Sequence, residues 1–299
     1  MGLEIKKYAA IDIGSNAVRL LVANVITKNN NTTQYRKSAL VRVPVRLGAD
    51  SFTTGIISEN SINRMINTMK AFKLLMDVHG VEKYKACATS AIREATNGKE
   101  VVKKILEETG VKIDIIDGES EAAIISSTDL NELILGKKSY LYVDVGGGST
   151  EFTLFSKGKI IASKSTKMGT VRKIDKETHK QINKEVKKWI KEKSKGISKI
   201  SIIGSGGNIN KIFKMSMRRE GKPLSYIYMK AQFKFLKEMS YEDRITELGL
   251  NPDRADVIIP ASKIYLNAMK WSGAKNIFVP KIGLADGIIK ALHLGKLEE

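Results

Sequence analysis

Residues Tyr140 to Phe155, YLYVDVGGGSTEFTLF, determine the predicted fold. An apolar run ends at Asp144, three glycines and two hydroxyl residues follow, and a second apolar run leads away from Glu151. This order predicts a strand, a tight turn and a returning strand. Successive N–H groups in a glycine turn form an anion cradle, and Asp144 and Glu151 are predicted to hold a hard cation such as Mg²⁺ beside the same anion. The alternative is a glycine-rich hairpin that binds no ligand.

The same pattern occurs near the N-terminus, where Tyr8 to Val25 reads YAAIDIGSNAVRLLVANV. When Asp12 is aligned with Asp144, each Asp ends an apolar run and is followed two residues later by a glycine. We therefore predict an internal duplication, in which two similar hairpins, one per domain, present phosphate-binding turns to a shared cleft. Neither copy has the sequence of a Walker A loop or of a dinucleotide-binding fingerprint.

The composition indicates a packed protein of about two domains. The chain has 299 residues, of which 42% are hydrophobic, so wholesale disorder is excluded. Its apolar runs are shorter than the ~18 residues of a membrane helix, and the N-terminus lacks the layout of a signal peptide. Cys87 is the only cysteine, which excludes intrachain disulfides and a cysteine metal site. We expect a soluble cytoplasmic protein that does not associate with membranes.

The net charge of +19 favours a polyanionic partner such as polyphosphate, a highly phosphorylated nucleotide, nucleic acid or acidic lipid. The alternative is a lysine-rich surface that only aids solubility. Lysines are spread from Lys157 to Lys237 and are not confined to the motifs, so they could form a track for a long polyanion. Charge alone does not separate these possibilities.

Two helix starts carry further candidate residues. Thr89 and Ser90 are predicted to cap a short helix whose first turn holds Arg93, a position from which a guanidinium can bind phosphate. Arg93 could equally form a surface salt bridge. Glu119 and Glu121 open the helix after Asp117-Gly118. Acids are common in a first turn because they complement the helix dipole, but one of them could act as a general base.

These motifs together resemble one known family, the exopolyphosphatase and guanosine pentaphosphate phosphohydrolase (Ppx/GppA) family. The resemblance covers essentially the whole chain, in order. The segments that carry it are DIGSN from Asp12, ATSAIREA from Ala88, DGESEA from Asp117, VDVGGGSTE from Val143 and GSGGN from Gly204.

The resemblance implies an α/β fold of two actin-like (ribonuclease H-like) domains with a cleft between them. We place the domains at residues 1–126 and 127–299, with the last helix free to pack back on the first domain. It also implies hydrolysis of the terminal phosphoanhydride of inorganic polyphosphate, or of the 5′ γ-phosphate of guanosine pentaphosphate. Mg²⁺, or Mn²⁺ in its place, is the expected cofactor. A homodimer is expected, without a specific nucleic-acid partner.

The resemblance also assigns roles residue by residue. Glu121 matches the carboxylate that activates water, Asp144 and Glu151 match the acids around the metal, and Arg93 matches a phosphate-binding arginine. The phosphate-binding turns match Ser15 and Asn16 in the first copy and Gly146, Gly147, Gly148 and Ser149 in the second.

The chain departs from the family pattern at several positions. Ser120 replaces the first of two adjacent acids, Ala123 stands where an Arg is common, Asn208 ends the third glycine turn in place of Thr, and Ala285 replaces an Arg. Glu121 is retained, so we keep the enzyme as the expectation. The alternatives are a catalytically weak polyanion-binding or signalling homologue and an ATP-dependent small-molecule kinase of the same superfamily.

Overall fold

The structure is a computed structural model that describes residues 3–28, 32–126, 128 and 138–298. The chain divides into two compact units, Met1–Asp129 with Ile282–Glu299, and Leu130–Lys281. The predicted domain boundary lies between residues 126 and 127, and residue 127 is outside the described residues. Of the helices in the described ranges, none is long and apolar enough to cross a membrane.

The first unit is built on a five-stranded sheet in the order β3-β2-β1-β4-β5. Strands β1, β2 and β3 are antiparallel neighbours, whereas β4 and β5 run parallel to β1. The strands are β1 (Leu3–Ile13), β2 (Val18–Lys28), β3 (Thr33–Val43), β4 (Lys83–Ala88) and β5 (Ile113–Ile115). The helices are α1 (Leu47–Thr54), α2 (Glu59–His79), α3 (Ser90–Glu94), α4 (Gly98–Thr109), α5 (Gly118–Ser126) and, from the end of the chain, α12 (Leu284–His293).

Both faces of this sheet are covered by helices. Alternate residues of β1, such as Ala9 and Ile11, join α2 and α4 in one hydrophobic core, because side chains of a strand point to opposite faces in turn. The intervening residue Tyr8 faces α12, where its ring lies 6.3 Å from that of His293. The last helix of the chain is therefore part of the first unit.

The second unit is built on a six-stranded sheet in the order β10-β11-β9-β6-β7-β8. Its strands are β6 (Ser139–Val145), β7 (Thr150–Ser156), β8 (Lys159–Thr166), β9 (Ile200–Ser205), β10 (Leu224–Ser225) and β11 (Asn276–Phe278). Its helices are α6 (Lys176–Lys193), α7 (Gly207–Met215), α8 (Tyr226–Glu238), α9 (Tyr241–Thr246), α10 (Pro252–Ala255) and α11 (Ile258–Ser272).

The two sheets share one topology. Strands β8-β7-β6-β9-β11 repeat the order β3-β2-β1-β4-β5, with the same parallel and antiparallel neighbours. In both copies the first hairpin leaves four residues between its last paired positions, Ile13↔Val18 and Val145↔Thr150. The predicted α/β class of two actin-like units and the predicted duplication are confirmed.

The sequence also predicts a loop at residues 46–50 and one helix from Pro252 to Met269, and both predictions are wrong. Residues 47–50 lie in α1, which starts at Leu47. Residues 252–269 form α10 and then most of α11. Pro260 is the third residue of α11, where its missing N–H does not interrupt the helical hydrogen bonds.

Candidate active site

The glycine turn of the second unit, Gly146–Ser149, is fixed by hydrogen bonds within the turn and to another segment of the chain. The N–H of Gly146 donates to the carbonyl oxygen of Ser149 over 3.0 Å. The Gly146 carbonyl does not close the turn from the other side, because it accepts from the N–H of Thr170 at 3.1 Å. The backbone at Gly147 and Gly148 is therefore positioned by a separate segment of the chain.

That segment is Thr170–Arg172, which follows β8. Its second and third N–H groups donate to the Gly147 carbonyl over 2.8 and 3.2 Å, and the Nε of Arg172 donates to the Gly148 carbonyl over 2.8 Å. All three glycine carbonyls are thus turned toward the protein. Within the described residues, nothing accepts a hydrogen bond from the N–H groups of Gly147, Gly148 or Ser149. The arrangement of these three donors is compatible with the anion cradle that the glycine pattern predicts.

Gly169 allows this contact. A Cβ at Gly169 would lie 2.2 Å from the Gly147 carbonyl oxygen and 2.4 Å from the Gly148 carbonyl carbon. Backbone atoms meet here at a distance that no other residue permits. The Thr150 hydroxyl also donates to the carbonyl of Met168, which fixes the start of the segment.

Two acids lie side by side at the base of the turn. Asp144 and Glu151 are direct partners across β6 and β7, and Glu151 is buried. Asp144 accepts hydrogen bonds from the hydroxyls of Tyr142 at 3.2 Å and Ser205 at 3.1 Å, and Glu151 accepts one from Ser165 at 3.1 Å. Like charges directly opposite in a sheet repel, and a bound cation would relieve that repulsion.

This donor set fits a hard cation such as Mg²⁺ or Mn²⁺ and fits softer metals that prefer His or Cys ligands poorly. In the ranges that the structure describes, no three His, Cys, Asp or Glu residues gather as a metal cluster. Mg²⁺ commonly uses only one or two carboxylates and takes its other ligands from water and substrate phosphates. Asp144 and Glu151 are two such carboxylates, at the base of the glycine turn.

The third glycine turn packs against Asp144. Gly206 has a φ of 111°, and a Cβ there would lie 3.0 Å from the Val145 carbonyl oxygen and 3.4 Å from Oδ1 of Asp144. The buried Tyr265 hydroxyl donates to the Ser205 carbonyl and holds the same turn. A glycine is needed at residue 206 both for the backbone conformation and for this close approach.

Two tyrosines near Asp144 remain protonated donors at neutral pH. Burial, with a further contribution from the charge of Asp144, raises the pKa of Tyr142 and that of Tyr265 well above the ordinary value. Neither hydroxyl therefore adds a negative charge to the two acids.

The turn of the first unit has the same backbone design. The N–H of Gly14 donates to the Ala17 carbonyl over 3.1 Å. The Ser15 carbonyl accepts from the N–H of Gly48 at 2.8 Å, and the Asn16 carbonyl accepts from that of Arg46 at 3.1 Å. The segment that binds these carbonyls again follows the third strand of the sheet.

Side chains distinguish this first turn from the second. The buried hydroxyl of Ser15 lies 3.0 Å from that of Ser90. Asp12, at the position equivalent to Asp144, forms an ion pair of 2.6 Å with Arg19, which stands directly opposite it in the register. Its charge is therefore neutralised by the protein itself.

Arg93 lies beside the start of helix α5. One of its terminal nitrogens donates to the Ile116 carbonyl over 2.6 Å, and its side chain is half-buried. Hydrogen bonds from Ser120 lower the pKa of Asp117, and the positive charge of Arg93 contributes to the same shift. The guanidinium is thus fixed where the chain passes from β5 into α5.

Glu121 lies in the first turn of α5, where its N–H donates to the Asp117 carbonyl over 3.0 Å. The side chain is half-buried. Burial raises the pKa of the Cys87 thiol to about 12, and the negative charge of Glu121 contributes to this shift. Helix α12 packs against α5 so closely that a Cβ on Gly287 would lie 2.5 Å from the Ile124 carbonyl oxygen.

The predicted site residues therefore form two groups, each at the ends of the strands in its own unit. Ser15, Asn16, Arg93 and Glu121 follow β1, β4 and β5, while Asp144, Gly146–Ser149 and Glu151 flank the turn of β6 and β7. Ligands in open α/β sheets bind at the carboxyl ends of such strands. The individual roles of these residues stay predictions.

The sequence analysis missed the two segments that bind the turn carbonyls. The available signals were Gly48 and Gly169, since each follows the third strand of its copy by a few residues.

Comparisons with known proteins agree with this arrangement. The model of the Ppx/GppA phosphatase family matches residues 39–294. A bifunctional 3-dehydroquinate synthase/phosphatase of Fusobacterium nucleatum is 31% identical over 301 residues, which cover 91% of this chain and 44% of that protein. The chain thus spans less than half of that relative's length. A putative exopolyphosphatase of Haemophilus influenzae is 25% identical, over 97% of this chain and 92% of that protein.

Solved structures share the fold over nearly the full chain. The Aquifex aeolicus member of the Ppx/GppA family has a TM-score of 0.74 at 26% identity and covers 99% of this chain and 100% of its own. An exopolyphosphatase from Cytophaga hutchinsonii has a TM-score of 0.84 at 22% identity, over 97% of this chain and 98% of its own.

Proposed function

Since the chain belongs to the Ppx/GppA phosphatase family, we propose that it is a hydrolase that releases the terminal phosphate of inorganic polyphosphate. The names of the Haemophilus and Cytophaga proteins support this substrate. The 5′ γ-phosphate of guanosine pentaphosphate is the second candidate, because the same cradle would bind a terminal phosphate on either chain.

One observation carries the proposal. In the described part of the chain, the N–H groups of Gly147, Gly148 and Ser149 donate to no protein acceptor, while the segment Thr170–Arg172 binds the glycine carbonyls. Phosphoryl transfer needs positioning and charge neutralisation more than covalent chemistry, and fixed N–H dipoles supply both without reorganising.

Glu121 is proposed as the general base. Its carboxylate would take a proton from the attacking water while the water oxygen bonds to the terminal phosphorus. The bond from that phosphorus to the bridging oxygen breaks, and the products are orthophosphate and a chain shortened by one phosphate. Arg93 would neutralise charge on the phosphate oxygens.

Asp144 and Glu151 are the residues proposed to hold Mg²⁺, or Mn²⁺ in its place. When bound, the ion would neutralise phosphate charge and help to orient the terminal group. The hydroxyls of Tyr142 and Ser205 orient the Asp144 carboxylate, since both donate to its Oδ2.

Phosphate release from purified protein tests the proposal. Polyphosphates of several lengths, guanosine pentaphosphate and ATP are compared in parallel, with and without excess EDTA. Release from polyphosphate that stops with EDTA supports it. Binding without release would identify a silent polyanion-binding homologue instead, and phosphate transfer from ATP to an acceptor other than water would identify a kinase.

A further inference from the structure

Helix α6 carries a line of lysines along one side. Lys176, Lys180, Lys184, Lys187 and Lys191 follow one another at intervals of four, four, three and four residues, and all five are exposed. At ~100° per residue these positions fall within an arc of about 80°. We call these five residues the lysine stripe. From its first to its last Cα the stripe is ~22 Å long, at ~1.5 Å per residue.

The packing of α6 fixes the direction in which the stripe points. Val186 and Ile190 are buried in the core of the second unit, and Ile182 and Trp189 pack against that core. Asp175 caps the helix by accepting hydrogen bonds from two backbone N–H groups, at 3.0 and 2.9 Å. The lysine stripe lies away from the buried face and therefore toward solvent.

The stripe is largely without neutralising partners. Lys180 lies 4.0 Å from Glu177. Across the described part of the chain, no carboxylate lies within 4.0 Å of the other four lysines. Like charges three or four residues apart destabilise a helix, so α6 retains a repulsion that acidic neighbours could have removed. A bound polyanion would remove it.

The stripe also starts next to the phosphate-binding turn. Arg172, which donates to the Gly148 carbonyl at 2.8 Å, is four residues before Lys176. Four residues span at most about 14 Å. After α6 the chain returns through β9, whose last residue, Ser205, donates to Asp144. Because β9 comes back to the turn, α6 leads away from it.

We propose that the lysine stripe binds the part of a polyphosphate chain that extends beyond the phosphate held at Gly146–Ser149. This inference rests on the proposed function. A linear phosphate chain needs only a row of point charges, which lysines on flexible stems provide. Proteins that bind single-stranded nucleic acid add aromatic platforms for the bases, and the one aromatic residue of α6, Trp189, packs on the core side.

A charge-matched pair of triple variants tests the stripe. The stripe variant is Lys184→Gln, Lys187→Gln and Lys191→Gln. The control is Lys188→Gln, Lys193→Gln and Lys270→Gln, which removes three exposed lysines of the same unit that lie outside the stripe. Both are made with Glu121→Gln, so that turnover does not consume the probe. Binding of long-chain polyphosphate, tripolyphosphate and single-stranded RNA is then titrated at three salt concentrations.

We expect the stripe variant alone to lose long-chain affinity, by roughly tenfold or more at low salt. The negative slope of log affinity against log salt should become shallower by about 2, because each phosphate that no longer meets a lysine removes ~0.7 from its magnitude. Tripolyphosphate binding should change less than about twofold, because a short chain held at the turn reaches few of these lysines.

Equal losses in the stripe and control variants would overturn the inference, as would equal salt slopes for long and short chains. An equal loss of RNA binding would overturn polyphosphate as the specific partner and indicate a general polyanion surface. The proposed function fails separately, if the unmodified protein releases no phosphate from polyphosphate, because the stripe is tested by binding alone.

Discussion

The two hairpin turns, Gly14–Ala17 and Gly146–Ser149, share one backbone design and differ in what surrounds it. In each, the first glycine donates across the turn, and a segment after the third strand binds the next carbonyls. The first turn carries packed side chains, and an arginine neutralises its acid. The second carries glycines, and another acid faces its acid.

We propose that this difference gives the two copies of the turn different roles. Arg19 and Glu151 occupy the same position opposite the equivalent acids Asp12 and Asp144. With Arg19 the protein itself supplies the counter-charge to Asp12. For Asp144 and Glu151 we propose that a bound cation contributes counter-charge. The predictions below ask whether the two units divide the chemistry in this way.

The largest effect is expected from changing Glu121, the proposed general base, which lies in the first unit. Glu121→Gln should lower kcat by ~10²–10⁴-fold while substrate binding stays nearly unchanged, because Gln keeps the shape but takes no proton. Glu119→Gln, which changes an exposed acid in the same helical turn, is the matched control. Single-turnover phosphate release measures both. A loss below tenfold in Glu121→Gln, with chemistry limiting, would remove Glu121 from this role.

The second prediction compares the two glycines that permit the carbonyl contacts. Gly169→Ala should lower kcat/KM by about 10²-fold, because its Cβ would meet backbone atoms of the phosphate turn at 2.2 Å and displace them. In Gly48→Ala the closest atom is in the Phe52 ring, at 2.8 Å, which can move aside. Its activity should therefore stay within a few-fold. Equal losses in both variants would show that the turns are not functionally distinct.

The third prediction compares the two acids. Asp144→Asn should raise the Mg²⁺ concentration needed for half-maximal activity by about 10–100-fold, since even indirect partners of a metal have effects of this size. Asp12→Asn should leave the Mg²⁺ requirement unchanged and lower thermal stability, because it breaks the ion pair with Arg19. Metal titrations and melting curves separate the two. Full activity of the unmodified protein in excess EDTA would contradict the metal role.

The smallest effect is expected from Cys87→Ser, which gives the first turn the hydroxyl neighbour that the second turn has. Cys87 is the partner of Asp12 in the register, as Ser205 is of Asp144. Cys87→Ser should cost only about 1–2 kcal/mol of unfolding free energy, because it buries one hydroxyl beside an acceptor. The Mg²⁺ requirement should not change. Denaturant unfolding measures the change in unfolding free energy, and a metal titration measures the Mg²⁺ requirement. A changed metal requirement would place Asp12 in the metal site.

Much of this comparison could be predicted from the sequence. Aligning Asp12 with Asp144 identified the duplication. The same alignment makes Arg19 equivalent to Glu151, a difference that the sequence analysis did not use. The glycines marked the turns because only they combine tight bends with close backbone approach. The apolar alternation around each Asp was enough for the strands.

The rest depended on interactions that leave little trace in sequence. The segments at Arg46 and Thr170 act through backbone groups, which every residue possesses, so only Gly48 and Gly169 hinted at them. The sequence analysis identified lysines from Lys157 to Lys237 as a possible track, but which of them lack an acidic partner is decided by side-chain positions in three dimensions.

The position of helix α12 has a consequence for synthesis on the ribosome. The first unit needs Leu284–His293 to cover one face of its sheet, where the Tyr35 hydroxyl lies 2.9 Å from Nδ1 of His293. The second unit is one uninterrupted stretch, Leu130–Lys281, that emerges earlier. Domains usually fold in order from the N-terminus during translation. Here the second unit can complete its folding before the last helix of the first unit has been synthesised. Limited proteolysis of chains arrested before and after residue 293 would then show the second unit becoming protease-resistant before the first.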